Sequence, residues 1–249
     1  MMESAGLDIA DVDPRMAYEL PGNGRALFTA RAHGNLSSVG GDGAERGLEA
    51  RERLREQLGV RRLARGYQVH GSVVRRLCGA AEVGDDVEAD GQATALRGLG
   101  AMVLTADCLP VALGVNGAVG MVHAGWRGLA AGVLEEGVRA LRDLGSVRTG
   151  RGVGEENDEE VVAIIGPGAG SCCYEVGEEV HAAFGGDRRM ESPPTRNIDL
   201  KAIAHDRLLA AGVTEVHVLD ACTICDERFF SYRREGARAG RQGGVAWLS

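Results

Sequence analysis

From residue 71 onward the chain alternates short apolar runs with glycine and polar punctuation, and the spacing predicts most of its elements. Stretches 73–77, 101–104, 111–115 and 118–122 read as β-strands. The unbroken apolar run 161–165 reads as a strand buried on both faces. Charges separate Leu48, Leu54 and Leu58 in LEARERLREQL, which suits a short surface helix over 48–58. A longer amphipathic helix is predicted over 129–144, with Leu134, Val138 and Leu141 on one face. Asp199 is placed to cap a helix over 200–211, followed by strands at 215–219 and 245–248. The Gly- and acid-rich stretch 145–160 predicts a mobile loop, and residues 1–24 a flexible lead-in. That leaves 25–249 as a single α/β catalytic domain in which helices and strands interleave without a linker or internal repeat.

Composition narrows the possible functions. A net charge of −8 with no basic stripe argues against nucleic acid as a partner. Aromatics are only 4%, so the core must be built from Val, Leu, Ile and Ala. The first twenty residues carry three Asp and two Glu and no apolar h-region, and no run of apolar residues is long enough to span a membrane. The expected compartment is the cytoplasm, where six cysteines read as reduced thiols or ligands.

Three segments put a metal-capable side chain beside turn-forming or apolar residues: YQVHG at 67–71, TADCLP at 105–110 and VHAGWRG at 122–128. Two His and one Cys would leave zinc a fourth position for water. The separations from His70 to Cys108 and from Cys108 to His123 match no compact ligand motif. Residue types alone therefore also allow a buried thiol with two hydrogen-bonded turn histidines. Asp107 is a candidate for proton exchange or for orienting a backbone amide. Arg31, Arg51, Arg127 and Arg233 are candidate phosphate holders, since guanidinium grips phosphate bidentately, with Arg31 and Arg127 the preferred pair. Trp126 reads as packing or loop anchorage. Cys172-Cys173 and the C-x-x-C pair Cys222/Cys225 read as structural or pocket-lining, because no second C-x-x-C completes a ribbon. The glycines at 166–170 lack a G-K-[ST] ending and exclude a P-loop.

The assembled pattern resembles the YfiH-like family, also called laccase-domain or polyphenol-oxidase-like proteins. QVHG, TADCLPV, HAGWRGLAAGVL, IGPGAGSCCYEVGEEV, NIDL and FFSYRREG carry the resemblance, in the family's order, with degraded opening motifs at Phe28–Arg31 and Asn35-Leu36. It implies a layered α/β/β/α fold with mixed sheets and a zinc site formed by His70, Cys108 and His123. Asp107, Cys108 and His123 would serve catalysis, and Arg31, Asn35, Gln68 and Arg127 would bind substrate. The implied reactions are phosphorolysis of adenosine, inosine, guanosine and methylthioadenosine, with adenosine deamination alongside. The implied partners are purine nucleosides and phosphate, with the chain a monomer or homodimer. The H-x-E…P-C-x-x-C signature of the familiar zinc deaminases is absent. Copper-dependent phenol oxidation, suggested by the older family label, and editing of peptidoglycan precursors are the alternatives. A His₂Cys set can hold copper, but six histidines are too few for a laccase's additional three-copper cluster. Gly168 and Ser171 depart from the family pattern, and residues 33–43 lack its usual GGVS-type loop.

Overall fold

The computed structural model describes residues 16–79, 84–149, 160–185 and 196–249. Two mixed sheets lie face to face. The first has five strands: β1 (Ala17–Leu20), β2 (Gly24–Phe28), β3 (Arg62–Ala64), β6 (Leu99–Thr105) and β11 (Gln242–Leu248), in the order β1-β2-β11-β6-β3. The second has six: β4 (Val74–Leu77), β5 (Gly91–Thr94), β7 (Leu109–Val115), β8 (Ala118–Ala124), β9 (Val162–Ile165) and β10 (Glu215–Val218), in the order β10-β9-β7-β8-β5-β4. The described α-helices are α1 (Gly47–Gln57), α2 (Trp126–Ala130), α3 (Val133–Thr149), α4 (Glu178–Ala183), α5 (Leu200–Ala210) and α6 (Tyr232–Glu235), with short 3-10 turns at Arg31–His33, Ala44–Arg46 and Gly236–Arg238.

The two-residue period of a strand explains how one chain builds three apolar layers. Ala26, Phe28, Ala101, Val103, Ala246 and Leu248 point from the first sheet into the gap, where they meet Ala112, Val119, Met121, Val162 and Ile164 from the second. Their neighbours Leu27, Met102, Leu104, Val245 and Trp247 face outward and are covered by Ala50 and Leu54 of α1. On the second sheet Val111, Leu113, Val122, Ala163 and Ile165 face outward beneath Leu134, Val138 and Leu141 of α3 and Leu200, Ile203 and Leu208 of α5. The layering is α/β/β/α. Strands covered on both faces have no polar side, which is why they read as continuous apolar runs.

Three expectations need correction. The helix expected over 129–144 is two helices: Gly132, at φ +88°, breaks the chain between α2 and α3. Residues 145–149 then continue α3, and residues 150–159 of the expected loop lie outside the described residues. The end of the expected lead-in, Ala17–Leu20, is a strand paired antiparallel with β2, and residues 1–15 lie outside the described residues. Among the described residues no helix is long and apolar enough to cross a membrane.

Candidate metal centre

Strand register gathers four segments at one end of the six-stranded sheet. β7 and β8 pair antiparallel, with Leu109 opposite Ala124 and Pro110 opposite His123, so Cys108, just before β7, meets the end of β8. β5 pairs antiparallel with β8 and parallel with β4, which brings the residues preceding β5 and β4, Asp90 and the QVHG turn, to the same end. His70, Cys108 and His123 therefore converge, with one ligand atom from each lying within 4.8 Å of the others. His123 is buried, Cys108 partly so, and His70 is exposed, so the centre opens to solvent on the His70 side. Gly125 lines it: a Cβ there would lie 2.9 Å from His70 Cδ2 and 3.0 Å from Cys108 Sγ. Only a residue without a side chain leaves the donors room to close on an ion.

Asp90 organises both histidines. Fully buried, its carboxylate accepts backbone N–H groups from Val69 (3.2 Å), His70 (2.9 Å) and Gly71 (2.7 Å). Its Oδ1 also lies 2.7 Å from His123 Nδ1. These contacts hold the turn that places His70 at φ +61°, a left-handed conformation costly for a residue with a Cβ. With Nδ1–H donating to Asp90, His123 keeps Nε2 as the free donor atom, a common arrangement behind histidine ligands. Sequence reasoning missed Asp90: an acidic residue before the glycine of a short, largely polar strand carries no periodic signal. Burial would raise the Asp90 carboxyl, but the hydrogen bond and charge of His123 and the backbone donors hold it below the usual range.

Without a metal the thiol and imidazole polarise each other. Burial pushes the Cys108 thiol up, but the charge of His123 and hydrogen bonds from His123 and His70 outweigh it and bring the thiol down to about 6. Burial pushes His123 down, yet the Cys108 thiolate and Asp90 raise it to about 9. A thiolate with two imidazoles is a donor set for zinc or copper.

The other sequence candidates are held as follows. Gln68 pins the QVHG turn to β6, donating from Nε2 to Leu104 O and accepting from Leu104 N at Oε1, both at 2.8 Å. Asn35 brackets its own loop, donating to Gly40 O and Asp42 O and accepting from Ser37 N and Arg241 N. Asp107, at φ +89°, accepts from Thr223 Oγ1 and Arg233 N, each at 2.8 Å, so both carboxylate oxygens are engaged. Arg31 pairs with Glu235 and lies over the Phe230 ring, 4.4 Å from its centroid. Arg51 pairs with Asp85, and Arg233 donates to Glu175 O. Arg127 is exposed at the start of α2 and stacks on Trp126 at 4.3 Å. An apolar cleft lined by Tyr18, Leu27, Val60 and Trp247 contains none of these residues.

Residues 25–249 match a family model described as multi-copper polyphenol oxidoreductase laccase. A purine nucleoside phosphorylase of Xylella fastidiosa is 39% identical, aligned over 92% of this chain and 88% of its own. The purine nucleoside phosphorylase YfiH of Escherichia coli is 38% identical over 73% of this chain and 72% of its own. A Neisseria meningitidis protein of known structure superposes with a TM-score of 0.78 at 32% identity, covering 93% of this chain and 97% of that one. With its two-sheet fold and the His70/Cys108/His123 centre in the expected motifs, the chain belongs to the YfiH-like, laccase-domain family.

Proposed function

We propose that the chain is a zinc-dependent purine nucleoside phosphorylase. Its substrates are adenosine, inosine, guanosine and methylthioadenosine, with adenosine deamination as a companion activity of the same centre. The observation that carries this reading is the convergence of His70, Cys108 and His123 on one solvent-open point, with His123 oriented by Asp90. The phosphorylase names of relatives that span most of the chain support it. When bound, zinc supplies a Lewis acid that can polarise a nitrogen or oxygen of the base.

The chain's own groups have distinct tasks. Cys108 and His123 hold the ion, His70 closes the set on the exposed side, and Asp90 keeps the imidazoles in place. Phosphorolysis builds positive charge on the ribose and needs phosphate brought to its anomeric carbon. Arg127 is the guanidinium we assign to that anion, because it is exposed and, among the described residues, makes no ion pair. Arg31 would first have to leave Glu235. Asp107 fits the orienting role better than proton exchange, since both of its oxygens already accept hydrogen bonds. Gln68 and Asn35 shape the loops around substrate.

Copper-dependent phenol oxidation is the second reading, favoured by the family description and by a donor set that copper also accepts. The remaining histidines weigh against it. His33 lies against Ala30, His181 sits in α4, His205 lies against Asp206 and His217 against Glu215, and no other His-containing donor group forms among the described residues. The test is base release from the four nucleosides by zinc-loaded protein, with and without phosphate, beside phenol oxidation by copper-loaded protein. Phosphate-dependent release of free base is expected. Phenol oxidation without any base release would overturn the proposal.

A further inference from the structure

Four of the five cysteines outside the centre just described form a second constellation. Cys172 and Cys173 lie in the turn after β9, and Cys222 and Cys225 in the turn after β10. β9 and β10 are parallel neighbours, so both turns emerge at the same end of the sheet. A backbone bridge between Gly168 and Cys222, with Thr223 N donating to Gly168 O at 3.1 Å, stitches the two turns together. As a result the four Sγ atoms lie within 4.8 Å of one another.

We propose that Cys172, Cys173, Cys222 and Cys225 bind a second, structural zinc ion as a tetrathiolate. Zinc–sulfur bonds of about 2.3 Å in a tetrahedron imply sulfur–sulfur edges of about 3.8 Å. Cys172 Sγ and Cys225 Sγ are 3.8 Å apart. That separation is far too long for a disulfide, and all four side chains are free thiols. The surroundings suit thiolates. Gly170 N lies 3.2 Å from Cys222 Sγ, and the backbone N–H groups of Ile224 and Cys225 also donate to it. Lys201 is buried and donates to Leu219 O and Ala221 O, holding the segment between β10 and Cys222. Burial pushes the Lys201 ammonium down, and the Cys222 and Cys172 sulfurs, with Asp220 and Asp199, act to keep it charged, so it would offset part of the charge that four thiolates bring.

The ion would brace the first centre. Thr223, inside the C-x-x-C turn, donates to Asp107 Oδ1, and Ala169, just before the cysteine pair, donates its N–H to Asp107 O. Both turns thus grip the residue preceding Cys108. This assignment stands independently of the nucleoside reading.

The experiment measures metal content and thiol accessibility on the full chain in the parent, Cys108→Ala and a Cys172→Ser/Cys225→Ser double variant. The parent should hold close to two zinc per chain, and each variant close to one. If the double variant does not fold, Cys108→Ala still decides the matter. Loaded with cobalt(II), it should show the intense sulfur-to-metal charge-transfer absorption of a tetrathiolate. Its four thiols should resist alkylation until a chelator is added, while the exposed Cys78 reacts throughout. Cobalt-loaded Cys108→Ala without that absorption, four thiols alkylating as fast as Cys78 with metal present, disulfides in the mass spectrum, or iron in place of zinc would each overturn the proposal.

Discussion

Asp90 is the residue on which the first centre turns. Replacing it with Asn keeps the shape but exchanges an acceptor-only carboxylate for an amide. The three backbone N–H groups and His123 Nδ1–H lose their common charged partner. Partners of this kind typically contribute about 10–100-fold in metal affinity. Asp90→Asn should weaken zinc by that much in chelator competition, and an unchanged affinity would remove Asp90 from the design. The proposed ligands also give the stability of the metal-free fold a pH dependence. Cys108's folded value, about 6, lies below that of the unfolded thiol, so its contribution is full above the unfolded value and is lost as pH falls through about 6. His123's folded value, about 9, lies above that of unfolded imidazole, so its contribution is full below the unfolded value and is lost as pH rises through about 9. Between those limits the metal-free pair carries one proton, which the proposed zinc would have to expel. Zinc affinity should therefore rise about tenfold per pH unit between about 6 and 9. A flat profile in competition titrations at pH 6.5, 7.5 and 8.5 would contradict the thiolate–imidazolium pair.

At the scale of elements, Gly132 and Asp199 mark where sequence signals were complete and where they were not. Asp199 accepts from Ala202 N at 2.9 Å and starts α5 at the residue the sequence predicts, because an N-cap is a local device. Asp199→Ala should cost about 0.5–2 kcal/mol in denaturant unfolding. Gly132 interrupts an apolar periodicity that by itself reads as one helix, and only its left-handed backbone reveals the break. A Cβ there would meet nothing closer than Glu135 Oε2 at 3.6 Å, so Gly132→Ala should lose only the conformational term, about 1–2 kcal/mol. A neutral result would mean the break relaxes into continuous helix. Strand β5 was illegible for a different reason. GQAT has no apolar run, yet Gln92 and Thr94 are buried in mid-sheet, Thr94 donating to Leu77 O. Its place comes from pairing with β4 and β8, which is tertiary information. The paired cysteine turns were illegible likewise: the parallel register of β9 and β10 brings them together, and spacing along the chain does not.

At the scale of the whole molecule, the two preferred arginines belong to different sheets. Arg127 follows β8 of the six-stranded sheet, beside the metal centre, and touches Trp126. Arg31 follows β2 of the five-stranded sheet and is tied through Glu235 to α6, whose Arg233 N–H holds Asp107 next to Cys108. The sequence shows both as arginines in family-like motifs and cannot tell them apart; their partners do. Arg127→Ala should leave zinc bound and raise the phosphate requirement of inosine cleavage about ten- to a hundredfold, the loss of one charge-assisted contact. Phosphate-free adenosine deamination should suffer less. Arg31→Ala leaves the partly buried Glu235 with Arg234 as its remaining cation and cuts the tie between α6 and the end of β2, so its damage should reach Asp107 and the metal loop, lowering zinc affinity, thermal stability and both activities together. The measurements are a phosphate titration of inosine cleavage, a deamination assay without phosphate and zinc content for each variant. Equal loss of both activities in Arg127→Ala, with zinc retained, would return Arg127 to a supporting role. A selective phosphate defect in Arg31→Ala would move the anion site to the junction of the two sheets.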